Sequence, residues 1–231
     1  MAGSKNKYDE KKRNFLKNIF VMTGITISGI GGESFSPKKN ELWKWSREAY
    51  FYDTMPRGVK CRLCPNSCYL SEGQTGTCQT RINVGGKLYT MAYGNPCAMH
   101  VDPIEKKPFF HFLPKSTAFS ISTAGCNFSC LNCQNWSISQ VGPIETQNYD
   151  LMPEEVVAQC QKYGCESIAF TYTEPTVYYE YMLDTAKISR QKGIRNLLIS
   201  NGYINQEPLK KLIPYIDAAN IDLKSFDDEI Y

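Results

Sequence analysis

The sequence predicts an α/β fold, a partial parallel (β/α) array preceded by a small cysteine-rich module. Three observations carry that prediction. Beyond Pro114, short apolar strands alternate with helical stretches. Between Cys61 and Cys78 the chain is dense in Cys, Pro, Gly and Asn, too poor in apolar residues to hold a core unaided. The whole, 231 residues with 42% hydrophobic and 21% charged, has an ordinary globular composition. Residues 1–39 hold eight Lys/Arg against three Asp/Glu, so the net +3 is local and the remainder is slightly acidic. That distribution argues against a nucleic-acid-binding surface, and no apolar run reaches the ~18 residues of a transmembrane helix.

In chain order, residues 1–32 read as a basic arm or a possible export signal. Lys12-Arg13-Asn14-Phe15-Leu16-Lys17 precedes a mildly apolar run from Asn18 to Gly32 and resembles a twin-arginine signal, with Lys12 in place of the first arginine. Residues 33–55 form a linker in which Trp43, Trp45, Tyr50, Phe51 and Tyr52, spaced among charges, predict a short helix from Lys39 to Tyr52. Residues 56–114 make a four-cysteine module with a connector, including a hairpin from Arg81 to Tyr93 around Gly85-Gly86. Residues 115–231 supply strands Thr117–Ser122, Ser167–Tyr172, Arg195–Ser200 and Ala218–Leu223. Helices Pro153–Tyr163, Pro175–Lys192 and Gln206–Tyr215 alternate with them. Proline near each helix start and glycine after two helix ends set these boundaries. Right-handed crossovers then open all four strand C-termini onto one face, where βα sites are built.

Cys126, Cys130 and Cys133 follow the first of these strands as C-x3-C-x2-C. Three thiolates on one loop suit a four-iron cubane that keeps one iron open, whereas electron-transfer clusters usually take four. A zinc site borrowing a fourth ligand is the plainer alternative.

Several words of the sequence resemble the radical SAM superfamily, and within it the pyruvate formate-lyase activating-enzyme-like group. The nearest likeness is to the radical SAM component of the AmmeMemoRadiSam system. The words are Lys60-Cys61-Arg62-Leu63-Cys64-Pro65, Asp102 to Pro108, His111-Phe112, Gly125-Cys126-Asn127-Phe128 and Cys133-Gln134-Asn135-Trp136. The resemblance implies a partial (β/α) barrel of the radical SAM type. Relatives close six strands and only four are counted here, so the barrel is expected to be C-terminally truncated and the last strand to present a bare edge. It also implies a [4Fe-4S] cluster on Cys126, Cys130 and Cys133 and S-adenosylmethionine at the open iron. An electron from a flavodoxin- or ferredoxin-type donor would cleave it to methionine and a 5′-deoxyadenosyl radical. The substrate, protein or small molecule, is open, and so is glycyl-radical activation; the cofactor requirement implies a cytoplasmic enzyme. A non-catalytic electron-transfer or scaffold protein is the alternative.

By the same resemblance Glu174, in Thr171-Tyr172-Thr173-Glu174-Pro175, is the ligand for the cofactor's ammonium, with Thr173 beside it. Its plainer role is a favourable charge at a helix N-terminus. Asn132 stands where the superfamily usually carries an aromatic residue near the adenine, and Gln134 follows the third cysteine. Ser200 and Asn201, in a Ser-Asn-Gly turn, and Asp222 and Lys224, in Asp-Leu-Lys, complete the cofactor-binding set. A turn former for Asn201 and a strand-end cap for Asp222 are the structural alternatives.

Cys61, Cys64, Cys68 and Cys78 offer four thiolates within eighteen residues. Zinc, an auxiliary iron–sulfur cluster and two disulfides all fit that spacing. Cys160 shares a helix face with Val156 and Val157 and reads as a small buried hydrophobe. His100 and His111 read as structural, with His111 the one that could line the barrel mouth.

Overall fold

A computed structural model describes residues 42, 44–229 and 231, so the export-like segment lies outside the described residues. The predicted helix from Lys39 to Tyr52 does not form among the described residues. Instead β1 (Arg47–Glu48) pairs with a strand of the hairpin, and β2 (Tyr52–Met55) pairs with β3 (Gly58–Cys61). Phe51, at φ +58°, breaks any helical path between them.

β3 also pairs with β4 (Tyr69–Leu70), closing a three-stranded antiparallel sheet under the first cysteines. The hairpin forms as expected, with β5 (Arg81–Val84) against β6 (Lys87–Thr90). Its turn residues Gly85 and Gly86 have φ of +61° and +74°, the left-handed pair that a two-residue turn requires.

Among the described residues the main sheet has five strands. β8 (Thr117–Ser122), β9 (Ser167–Phe170), β10 (Arg195–Ser200) and β11 (Ala218–Ile221) are parallel neighbours in sequence order. β7 (Ala98–Pro103) adds an antiparallel strand at one edge. Among the described residues the order runs β11-β10-β9-β8-β7, an open sheet with β7 and β11 at opposite edges. β11 ends two residues earlier than the sequence suggests, and its side chains alternate between half-buried and exposed.

A short helix, α1 (Trp136–Ser139), follows the cysteine triplet. Two longer helices, α2 (Pro153–Lys162) and α3 (Tyr179–Gln191), cover one face of the sheet, and α4 (Gln206–Leu212) precedes the last strand. Val156, Val157 and Cys160 of α2 and Tyr181, Met182 and Ala186 of α3 share one core with Phe119, Ile121, Ile168 and Phe170 of the strands. Each large apolar side chain fully buried there contributes roughly 1.5–3 kcal/mol. On the opposite face Ala118, Ala169 and Leu197 meet Ile104 and Phe109 in a separate, smaller cluster. The parallel strands are therefore covered on one face by helices, and the other face carries the connector around residues 104–113.

Candidate metal and cofactor site

The triplet loop begins where β8 ends. Gly125 makes the turn at φ +97°, and a Cβ there would stand 2.4 Å from the Cys78 carbonyl oxygen and 2.5 Å from Thr80 Cγ2, so only glycine fits. Its N–H donates to the Ile138 carbonyl at 2.8 Å, tying the loop to α1. Cys126 Sγ accepts the Phe128 N–H at 3.4 Å, and Cys133 Sγ lies 3.2 Å from Ser139 Oγ. Asn132 and Gln134 are exposed, as is Leu131 between them and Cys130.

All three thiols are free. Burial pushes the Cys126 thiol up to about 12, and the neighbouring charges of Glu174, Cys130 and Cys133 push the same way. Cys130, Cys133 and Glu174 thus lie within electrostatic reach of the Cys126 sulfur. Among the described residues no group of three or more His, Cys, Asp or Glu side chains is gathered as ligands to one metal ion. A cubane binds each thiolate through a different iron, so its ligands stand wider than those of a single ion.

Glu174 is the centre of the polar surroundings. It is 3% exposed and caps the turn that starts at Pro175, accepting the Thr176 N–H at 3.0 Å and Thr176 Oγ1 at 2.7 Å on Oε1. Ser200 Oγ donates to the same oxygen at 2.7 Å, and the Asn201 N–H donates to Oε2 at 2.8 Å. Burial raises its pKa against these bonds, which favour the charged form. Oε2 takes one donor and has a lone pair left.

Asn201 Nδ2 donates to Asn127 Oδ1 at 2.8 Å, and Asn127 Nδ2 to the Tyr203 carbonyl at 2.8 Å. Asn127, within the triplet loop, is therefore a hub to which the sequence analysis assigned no role. Thr173 is buried and bonds Ser122 Oγ at 2.7 Å and the Thr123 carbonyl at 2.8 Å, which holds the β8 and β9 ends together. Asp222 and Lys224 are exposed and pair with each other at 3.1 Å. Burial works against the Lys224 charge, but Asp222 and the neighbouring Cys130 and Cys126 raise its pKa overall.

Residues 120–231 match the family model described as the radical SAM superfamily. This stretch is similar to a radical SAM domain. An uncharacterised protein of Methanocaldococcus jannaschii is 49% identical over 183 residues, covering 79% of this chain and 54% of that protein. The 4-hydroxyphenylacetate decarboxylase activating enzyme of Clostridium scatologenes is 26% identical over 104 residues, 44% of this chain and 33% of that enzyme. The 7-carboxy-7-deazaguanine synthase of M. jannaschii is 30% identical over 114 residues, 44% of each. The chain thus spans about half the length of these relatives or less.

The four-cysteine module packs directly on the parallel array. Cys61, Cys64, Cys68 and Cys78 are free thiols that line one cavity with Gly76, Arg81, Asn127 and Val177. A Cβ on Gly76 would lie 3.7 Å from both Cys68 Sγ and Cys78 Sγ. Thr77 Oγ1 is 3.4 Å from Cys68 Sγ, Thr80 Oγ1 is 3.3 Å from Cys78 Sγ, and Arg81 Nη1 donates to Cys61 Sγ at 3.8 Å. The Arg81 guanidinium is buried and pairs with buried Glu180 of α3 at 2.6 Å. Burial pushes the Cys64 thiol up to about 12 and raises that of Cys61.

Contacts between module and domain are close. Asn66 Nδ2 donates to the Asn127 carbonyl at 2.9 Å and Thr80 Oγ1 to the Val177 carbonyl at 2.9 Å. The module is accordingly less self-contained than its local cysteine spacing suggests. Cys160 and Cys165 are buried, and His100 and His111 are exposed. A larger cavity, about 360 Å³, is bounded by Ala49 to Asp53, Arg62, Glu207 and Lys211 and is lined by no cysteine.

Proposed function

We propose that the chain is a radical SAM enzyme, an activating-enzyme-like oxidoreductase, that cleaves S-adenosylmethionine reductively and abstracts hydrogen from a protein or small-molecule substrate. The carrying observation is the placement of the Cys126–Cys133 loop at the C-terminal end of β8, with Glu174 and Asn201 at the ends of the next two strands. Cys126, Cys130 and Cys133 would hold a [4Fe-4S] cluster. Such a cluster would supply, when bound and reduced, the electron for breaking a carbon–sulfur bond of S-adenosylmethionine.

The chain's own residues bind and orient. Glu174 Oε2 would accept the cofactor's ammonium, and Ser200 and Asn201 hold that carboxylate in place. Asn132 and Gln134 line the loop side, Thr173 fixes the strand ends behind it, and the Asp222–Lys224 pair stands at the last strand end. Lys224 sets a positive charge near thiolates that become anionic on ligation. The electron donor is of flavodoxin or ferredoxin type, and the enzyme works in the cytoplasm. The words shared with the AmmeMemoRadiSam component favour that branch. The Clostridium relative's name supports an activating-enzyme-like reading, with a glycyl-radical partner as one substrate class.

In the module we read Cys61, Cys64, Cys68 and Cys78 as the ligands that would draw together around one zinc ion, a gathering the described residues do not show. The four thiols line one small cavity, and four thiolates from one short segment are a usual structural zinc set. The buried Arg81 offsets part of the charge of four thiolates. Anaerobic reconstitution with iron and sulfide, reduction and assay for 5′-deoxyadenosine test the catalytic reading, and absence of that product would leave an electron-transfer or scaffold role. Metal analysis of the Cys126→Ala/Cys130→Ala/Cys133→Ala variant tests the module. About one zinc supports the reading; iron with sulfide, or no metal, contradicts it.

A further inference from the structure

The face of the main sheet away from α2 and α3 carries a polar group that neither cysteine set uses. In the β7–β8 pair His100 stands opposite Ser120 and Asp102 opposite Ala118, so these four share a face. It is the face away from α2 and α3, because the alternate residues Phe119 and Ile121 enter the helix-side core.

Asp102, 3% exposed, accepts three donors: Lys106 Nζ at 2.7 Å, Lys107 Nζ at 2.6 Å and Tyr172 OH at 2.6 Å. Lys107 is equally buried, and its ammonium lies 4.2 Å from the centre of the Tyr172 ring. The His100 ring meets the same tyrosine edge-on, with centroids 5.7 Å apart. Tyr172 itself has φ +66°, a conformation that costs a non-glycine residue about 1–3 kcal/mol. Its carbonyl accepts from Nδ2 of Asn135, two residues beyond Cys133, at 2.7 Å. A strained tyrosine therefore joins the triplet loop to the Asp102 group.

One carboxylate faces two ammonium groups here, an excess of positive charge. The carboxylate is occupied by three donors and the phenol donates to it. What remains on offer is mainly donors: the exposed Lys106 ammonium has three N–H bonds and spends one on Asp102, and the exposed His100 ring stands alongside. An acceptor-rich anion complements such a group.

We propose that this group binds an anionic moiety of the substrate, a carboxylate or a phosphate. The exposed Lys106 makes first contact, Lys107 supplies the buried charge, and Tyr172 positions both relative to the triplet loop. Naming the ligand a substrate rests on the radical SAM reading; the anion site does not.

The test uses the full chain as purified, with ring-labelled tyrosine and the Tyr172 resonance assigned by its loss in Tyr172→Phe. Inorganic phosphate and acetate are titrated separately at constant ionic strength. A saturable shift of Tyr172 is expected, with affinity weakened roughly tenfold or more in Lys106→Gln, as for a lost charge-assisted hydrogen bond. Response to phosphate alone marks a phosphorylated ligand, to acetate alone a carboxylate, and to both a site for either. No saturable shift with either anion, or unchanged affinity in Lys106→Gln, overturns the proposal. Neither cluster nor S-adenosylmethionine is present, so failure here is distinct from failure of the catalytic reading.

Discussion

Cys61, Cys64, Cys68 and Cys78 stand around one cavity, against a three-stranded sheet, beside a buried guanidinium and with threonine hydroxyls at two of the sulfurs. Cys126, Cys130 and Cys133 sit on a loop whose intervening residues Leu131 and Asn132 are exposed. The first set is enclosed by backbone and counter-charge, while the second is fixed at its two ends, by Gly125 and by α1, and open between them. Closed four-ligand sites suit structure, and sites short of one protein ligand suit chemistry. The difference between the regions lies less in cysteine number than in what the fold places around the sulfurs.

The sharpest way to break this comparison is to remove one thiol from the open set. Cys126→Ala, Cys130→Ala or Cys133→Ala should reduce 5′-deoxyadenosine formation to background, while denaturant midpoints change little because the loop is open. A variant that keeps wild-type cleavage would remove the three-thiolate account.

Next comes the counter-charge of the closed set. Arg81→Met strands the buried Glu180 carboxylate and should cost about 3–5 kcal/mol in urea unfolding, with cleavage per folded molecule retained. A loss under about 1 kcal/mol would show that the pair does not anchor the module.

Asp102→Asn should cost about 3 kcal/mol at neutral pH, since it leaves the buried Lys107 unpaired. Burial alone would raise the Asp102 pKa, but Lys106, Lys107 and Tyr172 more than offset it and hold the carboxyl well below its usual range. A depressed carboxylate contributes stability above its unfolded pKa and loses it as pH falls through the folded one. The gap between wild type and variant should therefore narrow as unfolding is repeated at pH below about 4. A gap independent of pH would contradict the assignment.

The smallest expected effect is at the seam between the regions. Gly125→Ala forces a Cβ against the Cys78 carbonyl at a left-handed φ and should cost about 1–3 kcal/mol. Thermal melts and cleavage assays should show both regions loosened together, whereas a loss confined to one would mean the seam transmits nothing.

Much of the parallel array was legible because its signals are local. Thr117–Ser122 and Arg195–Ser200 have the expected boundaries, each an apolar run with glycine or proline nearby. What depended on distant partners was not legible. β7 exists through its pairing with β8, and its His100-Val101-Asp102 alternation reads as a connector when taken alone. The aromatic residues before Tyr52 fit a helical face as well as strands, and Phe51 decides between them through a backbone angle that its identity does not announce. At the site, the helix-capping role of Glu174 could be read from Glu174-Pro175, and the capping bond is present. Asn127 could not be read in the same way, because its partners Asn201 and Tyr203 are more than seventy residues away.

The central claim, that the triplet holds a cluster with an open iron, is tested most directly by electron paramagnetic resonance of the anaerobically reconstituted, reduced full chain before and after adding S-adenosylmethionine. The account predicts a [4Fe-4S] signal, absent in Cys130→Ala, whose shape changes when the cofactor is added. A cluster signal that does not respond to S-adenosylmethionine, or one that survives loss of Cys130, would contradict it.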